Sequence, residues 1–203
     1  MKTLKKLFSV SAIVALLGTL APMYAFGAGN SLDLDPEFPQ AYAYAYANGI
    51  TTQSEDNADM GGKLTRIALA KMIAKYAINV LKLTPDTSKT CNFTDVTAAL
   101  DAQYDNWVTQ ACQLGLMWVN ITAFRPNDLV TRWEFGTTFS RALNANSDNL
   151  AAMNAADPYY KEHLNYLNKE GIMKVIDPNM LEVRGYVMLM MMRSDDSYEP
   201  STA

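Results

Sequence analysis

The stretch FRPNDLVTRWE, residues 124–134, carries the strongest structural signal in this chain. Thr131, followed three positions later by Glu134, is a capping box, in which a hydroxyl and a carboxylate satisfy free backbone groups at a helix start. Phe135 and Phe139 then lie one turn apart on a single apolar face. The stretch therefore predicts a loop that ends in an amphipathic helix.

The same plan occurs three times along the chain. A glycine and an aliphatic residue precede an arginine that opens an apolar run: Gly49-Ile50 with Arg66, Gly115-Leu116 with Arg132, and Gly171-Ile172 with Arg184. A basic residue follows nine positions after each arginine: Lys75, Arg141 and Arg193. Self-similarity at a period of tens of residues indicates one supersecondary unit used three times.

These units define three segments, each predicted to be helix, loop, helix, so that the fold class is mainly α. The first segment spans residues 29–83, the second 84–144 and the third 145–193, and residues 194–203 form a polar tail. The predicted leading helices are 41–47, 104–114 and one starting at Asp157-Pro158; the closing helices start at the three arginines, and the third ends at Arg193. Residues 83–92 and 144–156 are predicted connectors. In 41–47, alternating tyrosines would suit a strand, but alanine content and the following Asn48-Gly49 favour a helix.

The N-terminal residues 1–28 are predicted to be a secretory signal peptide. Lys2, Lys5 and Lys6 precede an apolar run from residue 7 to about residue 20, and Ala25 with Gly27 forms a small-x-small cleavage site. The alternative is a retained membrane anchor, although the run is short for a span of about 20 residues. No transmembrane span is expected after signal removal.

Charge and cysteine usage narrow the class of protein further. The net charge of −4, with three lysines in the leader, argues against nucleic-acid binding. Cys91 and Cys112 both lie in the exported part, where an even count favours a disulfide; two free buried thiols are the alternative. With a lone His163 they do not make a zinc site, so no metal or cofactor is expected.

The second segment resembles the S-layer homology (SLH) family. The resemblance rests on Phe93-Thr94-Asp95-Val96, Trp107 with the 111–116 stretch, Phe124-Arg125-Pro126, and Thr131-Arg132-Trp133-Glu134. The first segment keeps Asn48-Gly49-Ile50 and Thr65-Arg66 but has Ala68 where the motif has Glu; the third keeps Gly171-Ile172 and Val183-Arg184. The resemblance spans residues 33–193 and is specific in the middle and weak at both ends.

The resemblance implies three repeats packed about a pseudo-threefold axis. It also implies non-covalent attachment to a cell-wall polysaccharide, often one that bears ketal-linked pyruvate, with Arg66, Arg132 and Arg184 in the grooves between repeats. A guanidinium fork at a helix start suits a carboxylate ligand. The alternative role of each arginine is to bridge carboxylates of the neighbouring repeat.

Two tryptophans depart from the family pattern. Trp133 replaces the small third residue of the Thr-Arg-Ala-Glu motif, and Trp118 stands where the family often has a small residue. Each is a candidate sugar-stacking platform in the ligand site. Core filling is one alternative, and UGA codons read as glycine in some bacteria but translated as Trp are another.

No motif of an enzyme stands out in the chain. There is no G-x-S-x-G, P-loop or Cys-x-x-Cys, and residues 54–62 do not fit the ligand positions of an EF-hand loop. We therefore expect a secreted, non-enzymatic protein of the cell surface that binds an acidic glycan. The alternative is a self-assembly or protein-interaction module that binds other surface-layer subunits.

Overall fold

The computed structural model describes residues 35–117 and 121–198, which lie in one compact unit, Ser31–Ala203. These residues are mainly helical, as predicted, and their β pairing is confined to isolated bridges. The helices are α1 Phe38–Ala47, α2 Arg66–Asn79, α3 Ala98–Gln103, α4 Trp107–Gln113, α5 Arg132–Leu143, α6 Leu150–Asn154, α7 Tyr160–Lys169 and α8 Arg184–Arg193. The predicted signal peptide lies outside the described residues.

The repeated sequence signals mark helix ends in the structure. The three closing helices α2, α5 and α8 begin at the predicted arginines. In the capping box of α5, the Glu134 carboxylate accepts hydrogen bonds from the Thr131 backbone N–H and hydroxyl, both at 2.9 Å. The glycines that follow α1, α4 and α7 have φ angles of +67°, +71° and +71°, the left-handed conformation that terminates a helix.

The closing helices supply much of the core. Tyr76 of α2 and Phe139 of α5 are fully buried and meet edge to face, with ring centroids 5.4 Å apart. In α8, the predicted core methionines are all buried: Met188, Met190, Met191 and Met192. Unbranched methionine side chains fill irregular spaces between helices, which explains their use here.

Each leading helix packs on a closing helix of a different segment. Helix α4 packs on α2, and α7 packs on α5, so each of these helices contacts the closing helix of the preceding segment. Helix α1 of the first segment packs on α8 of the third. The first and last helices of the described residues are therefore in contact.

The loops before the closing helices are joined by a closed cycle of backbone hydrogen bonds. Leu64 N–H donates to Glu182 O at 3.0 Å, Glu182 N–H donates to Val130 O at 2.8 Å, and Val130 N–H donates to Leu64 O at 2.9 Å. Three isolated antiparallel bridges accompany them: Lys63 with Val183, Thr65 with Leu129, and Thr131 with Leu181. One residue from each segment thus contributes to the cycle.

The predicted helix over residues 104–114 is wrong at its start. Helix α3 ends at Gln103 and α4 begins at Trp107, because Asp105 and Asn106 adopt left-handed φ angles of 56° and 59°. Asn and Asp tolerate this conformation better than other non-glycine residues. The interruption turns the chain between two short helices.

Two further boundaries differ from the prediction in the third segment. The 144–156 connector contains the helix α6, and α7 begins at Tyr160 rather than at Asp157-Pro158. Alanine favours a helical turn over residues 150–154 despite the polar neighbours.

The predicted disulfide is present between Cys91 and Cys112, with an S–S distance of 2.10 Å. It joins the loop before α3 to helix α4. As to membrane insertion, no helix in residues 35–117 or 121–198 has the length and apolar character needed to cross a bilayer.

Candidate functional site

Arg66, at the start of α2, lies between the first two segments. Its side chain is 0% exposed, its Nε–H donates to Phe124 O at 2.7 Å, and its Nη1 forms an ion pair with the Glu134 carboxylate. Burial lowers the pKa of Arg66 to about 10, while the Glu134 charge opposes that shift. Arg66 therefore joins the first segment to the second.

Arg132 makes the corresponding contact between the second and third segments. It is 4% exposed, its Nη2 donates to Glu182 Oε2 at 3.1 Å, and its Nη1 donates to Val175 O at 2.6 Å. Burial raises the pKa of the Glu182 carboxyl, and the Arg132 charge lowers it. Both arginines make contacts of the bridging kind, and their role in ligand binding stays a prediction.

Arg184 differs from the other two arginines. Its backbone N–H donates to Gly62 O at 2.9 Å, as Arg66 N–H donates to Asp128 O and Arg132 N–H to Met180 O. Its Nε is buried, and no residue of the described chain accepts a hydrogen bond from it. In the first segment, Ala68 stands at the position of Glu134 in the second segment, and Leu64 stands at the position of Glu182 in the third. The junction between the third and first segments therefore lacks the carboxylate that the other two junctions have.

Trp133 belongs to an aromatic cluster between α5 and the start of α7. Its ring centroid lies 5.9 Å from that of Tyr159 and 5.7 Å from that of Tyr160. Trp133 is half-buried and Tyr159 is 40% exposed, so part of this cluster faces solvent. Trp118, the other predicted aromatic site residue, lies outside the described residues.

A groove of about 220 Å³ opens beside this cluster. It is lined by Ile121, Trp133, Glu134, Thr137, Thr138, Arg141 and Tyr159. Thr137 is only 3% exposed, and its hydroxyl has no hydrogen-bond partner among the described residues. A buried hydroxyl without a partner costs free energy, which a polar ligand group in the groove would recover.

Arg141 supplies the positive charge of the groove. Its Nε–H donates to Asn154 Oδ1 at 2.9 Å, and it forms no ion pair within the described residues. Burial lowers the pKa of Arg141, with the Tyr159 hydroxyl opposing that shift. The hydrogen bond to the neutral Asn154 positions the guanidinium without neutralising its positive charge, so the charge is available to an anion.

His163 supports this arrangement from the core. It is fully buried, its Nε2 lies 3.2 Å from Asn154 Oδ1, and its Nδ1 lies 3.0 Å from Ser140 Oγ. Because Asn154 Oδ1 already accepts from Arg141, we assign the proton to His163 Nε2, and Nδ1 accepts from the Ser140 hydroxyl. Burial lowers the pKa of His163 to about 4, so the ring is neutral.

The matching basic residues at the other two junctions are occupied by the protein itself. Lys75 Nζ lies 5.5 Å from the ring centroid of Trp107, a cation–π contact. Arg193 Nη2 forms an ion pair with Glu37 at 2.6 Å, and Tyr198 donates a hydrogen bond to the same carboxylate. Arg141 is therefore the member of this set that is available to a ligand.

The groove combines an aromatic face, a hydroxyl and a guanidinium, which suits a sugar that carries a carboxylate. Sequence reasoning found Trp133 but did not select Thr137, Arg141 or Tyr159 as site residues. The nine-residue spacing from Arg132 was a signal for Arg141, whereas nothing in the sequence places Tyr159 opposite Trp133. The described residues contain no cluster of ligands that would hold a metal ion.

Comparison with known proteins adds no relative: no protein-family model matches the chain, and no curated protein matches it.

Proposed function

We propose that this is an exported, non-enzymatic protein of the cell surface that attaches non-covalently to an acidic wall or surface polysaccharide, for instance one carrying ketal-linked pyruvate. In this proposal its three segments are SLH-like repeats about a pseudo-threefold axis. The closed hydrogen-bond cycle through Leu64, Val130 and Glu182 supports the arrangement of the repeats. The disulfide supports export, because disulfides persist in oxidising compartments.

The observation that carries the glycan proposal is the groove between α5 and α7. Trp133 and Tyr159 offer aromatic surface to a pyranose ring, and the Thr137 hydroxyl lacks a partner in the described residues. The Nε–H of Arg141 is used in the hydrogen bond to Asn154, and its two Nη groups remain for a carboxylate. The Glu134 carboxylate also lines the groove, but its charge is paired with buried Arg66, so Arg141 carries the unpaired charge. These features together match an acidic sugar better than a neutral or cationic ligand.

A pull-down with purified cell-wall sacculi tests this proposal. We expect the full chain to sediment with sacculi and Arg141→Ala to remain in the supernatant. Lys169→Ala is the matched control, because it removes one exposed positive charge at the other end of α7 without touching the groove. Failure of the unmodified chain to bind at low and moderate salt would contradict the proposal.

Self-assembly is the second candidate function. Val175 and Ile176 are adjacent and 53% and 37% exposed, which makes an apolar patch on the loop before α8. Sedimentation of the protein without glycan separates the two functions. Oligomers that dissociate in a Val175→Ser/Ile176→Ser double variant would favour assembly, and a monomer would favour glycan attachment.

A further inference from the structure

A second cavity, distinct from the groove, lies in the second segment beside the disulfide. Its volume is about 370 Å³, within the range of ligand sites. Its walls come from the chain that follows Cys91, from α3 and from the turn before α4. Lining residues that matter here are Asn92, Phe93, Val96, Thr97, Asp101 and Asn106.

Asn106, which lines this cavity, has an unusual local environment. It is the N-cap residue of α4, where an Asn side chain normally accepts a hydrogen bond from the first turn, yet it makes no such bond. Its φ of 59° places it in the left-handed region. Its carboxamide forms no hydrogen bond within the described residues.

Asp101 has taken over the capping role. Its Oδ1 accepts from Val108 N–H at 3.0 Å, and its Oδ2 accepts from Thr109 N–H at 3.2 Å and from the Thr109 hydroxyl at 2.6 Å. The helix start is therefore satisfied without Asn106. The first backbone N–H groups of α4 are therefore not available to a ligand, whereas the Asn106 side chain is.

The remaining walls indicate the chemistry of a ligand. Asn92 is exposed and also forms no side-chain hydrogen bond in the described structure, so two carboxamides line one cavity. Phe93 and Val96 are half-buried and add apolar surface. No Lys, Arg or His is among the residues that line this cavity. The lining thus offers paired donors and acceptors without a positive charge.

We propose that this cavity binds an uncharged sugar residue through the Asn92 and Asn106 carboxamides, with its apolar face against Phe93. Each carboxamide donates and accepts, which matches vicinal hydroxyl groups that do the same. The Asp101 carboxylate disfavours an anionic ligand. The inference goes beyond the proposed function, because the groove between α5 and α7 is a different site with a charged ligand.

The test is NMR titration of the ¹⁵N-labelled full chain with mannose, glucose and N-acetylglucosamine, with pyruvate as the charged probe. We expect at least one sugar to shift the side-chain amide signals of Asn92 and Asn106 saturably, and pyruvate to leave them unchanged. Asn106→Gly, which keeps the left-handed backbone accessible, and Asn92→Ala should each weaken that sugar about tenfold. Asn146→Ala, which removes an exposed asparagine elsewhere, is the matched control.

Three outcomes would overturn the inference. One is the absence of saturable shifts at Asn92 and Asn106 with all three sugars. Another is sugar affinity that neither Asn106→Gly nor Asn92→Ala changes in the folded protein. The third is shifts confined to Trp133 and Arg141, which would place the sugar in the groove. None of these depends on the pull-down with sacculi, so failure of the wall-binding proposal is recognised separately.

Discussion

Arg66 and Glu134 form a buried ion pair between two segments of the chain, and Glu134 also caps the helix on which it lies. The carboxylate therefore acts twice, once within the second segment and once toward the first. A charged pair removed from water is costly to separate, because the remaining partner stays buried without compensation. This relationship makes the junction between the first two segments sensitive to single substitutions.

The substitution Glu134→Gln should lower the free energy of unfolding by about 3 kcal/mol, since it leaves the Arg66 guanidinium buried beside a neutral amide. Urea unfolding measures the change. Arg125→Ala is the control: Arg125 also approaches Glu134, at 3.3 Å, but its side chain is 51% exposed, so the loss should stay below about 1 kcal/mol. Equal losses for the two variants would contradict the assigned importance of the Arg66 pair.

The third junction should be stabilised by Ala68→Glu, which supplies a carboxylate at the position equivalent to Glu134. We expect the free energy of unfolding to rise by about 1 kcal/mol, because the Arg184 Nε, which is buried without a partner in the described structure, gains a carboxylate neighbour. Ala68→Gln controls for side-chain size. The gain should vanish in an Arg184→Ala background, and a gain that persists there would disprove the equivalence of the junctions.

Substitutions of Arg132 and Arg141 should have different effects, the first on stability and the second on ligand binding. Arg132→Ala leaves Glu182 buried without its partner, so the free energy of unfolding should fall by about 3 kcal/mol or more. Arg141→Ala should instead weaken glycan binding by about 1.5–3 kcal/mol with little effect on stability. Arg141→Lys should also lose much of the affinity, because an ammonium does not reproduce the fork.

Thermal melts and binding isotherms of the folded variants distinguish these effects. If Arg132→Ala loses affinity while its melting temperature is unchanged, the bridging role assigned to Arg132 is wrong. If Arg141→Ala binds sacculi as the unmodified chain does, the groove is not the glycan site.

His163 should make the protein less stable in mild acid. Its pKa is lowered from 6.5 in the unfolded chain to about 4 in the fold, so the unfolded chain takes up the proton first. The stability from this group is present above pH 6.5 and is lost as the pH falls toward 4, up to about 3 kcal/mol. Unfolding free energies measured across this window should show the loss, and His163→Gln should remove that part of the pH dependence.

Reduction of the disulfide between Cys91 and Cys112 should lower the free energy of unfolding by about 3 kcal/mol, since the bond closes a loop with a sequence separation of 21. Mass measurement after alkylation without reductant checks that the bond exists in the protein isolated from cells. Two alkylated thiols in that fraction would show that it does not.

Local signals in the sequence determined the helices that close each segment. The helix start at Arg132 follows from its capping box and apolar spacing, and the starts at Arg66 and Arg184 follow from apolar spacing. The helix stops at the Gly motifs follow from backbone conformation. These signals act between residues fewer than five positions apart, so no knowledge of the tertiary structure is needed to interpret them. The disulfide could also be predicted from the sequence, because only two cysteines are present.

The contacts between groups of different segments depend on the tertiary structure. Arg66 reaches Glu134 and Arg132 reaches Glu182 only because the loops dock in a closed cycle. Asp101 on α3 caps α4, and the left-handed Asn106 before α4 makes no side-chain hydrogen bond within the described residues. Docking of whole segments sets these contacts, and periodicity within one segment carries no information about them. The same reason explains why the sequence identified Trp133 as a candidate but could not place Tyr159 and Arg141 around one groove.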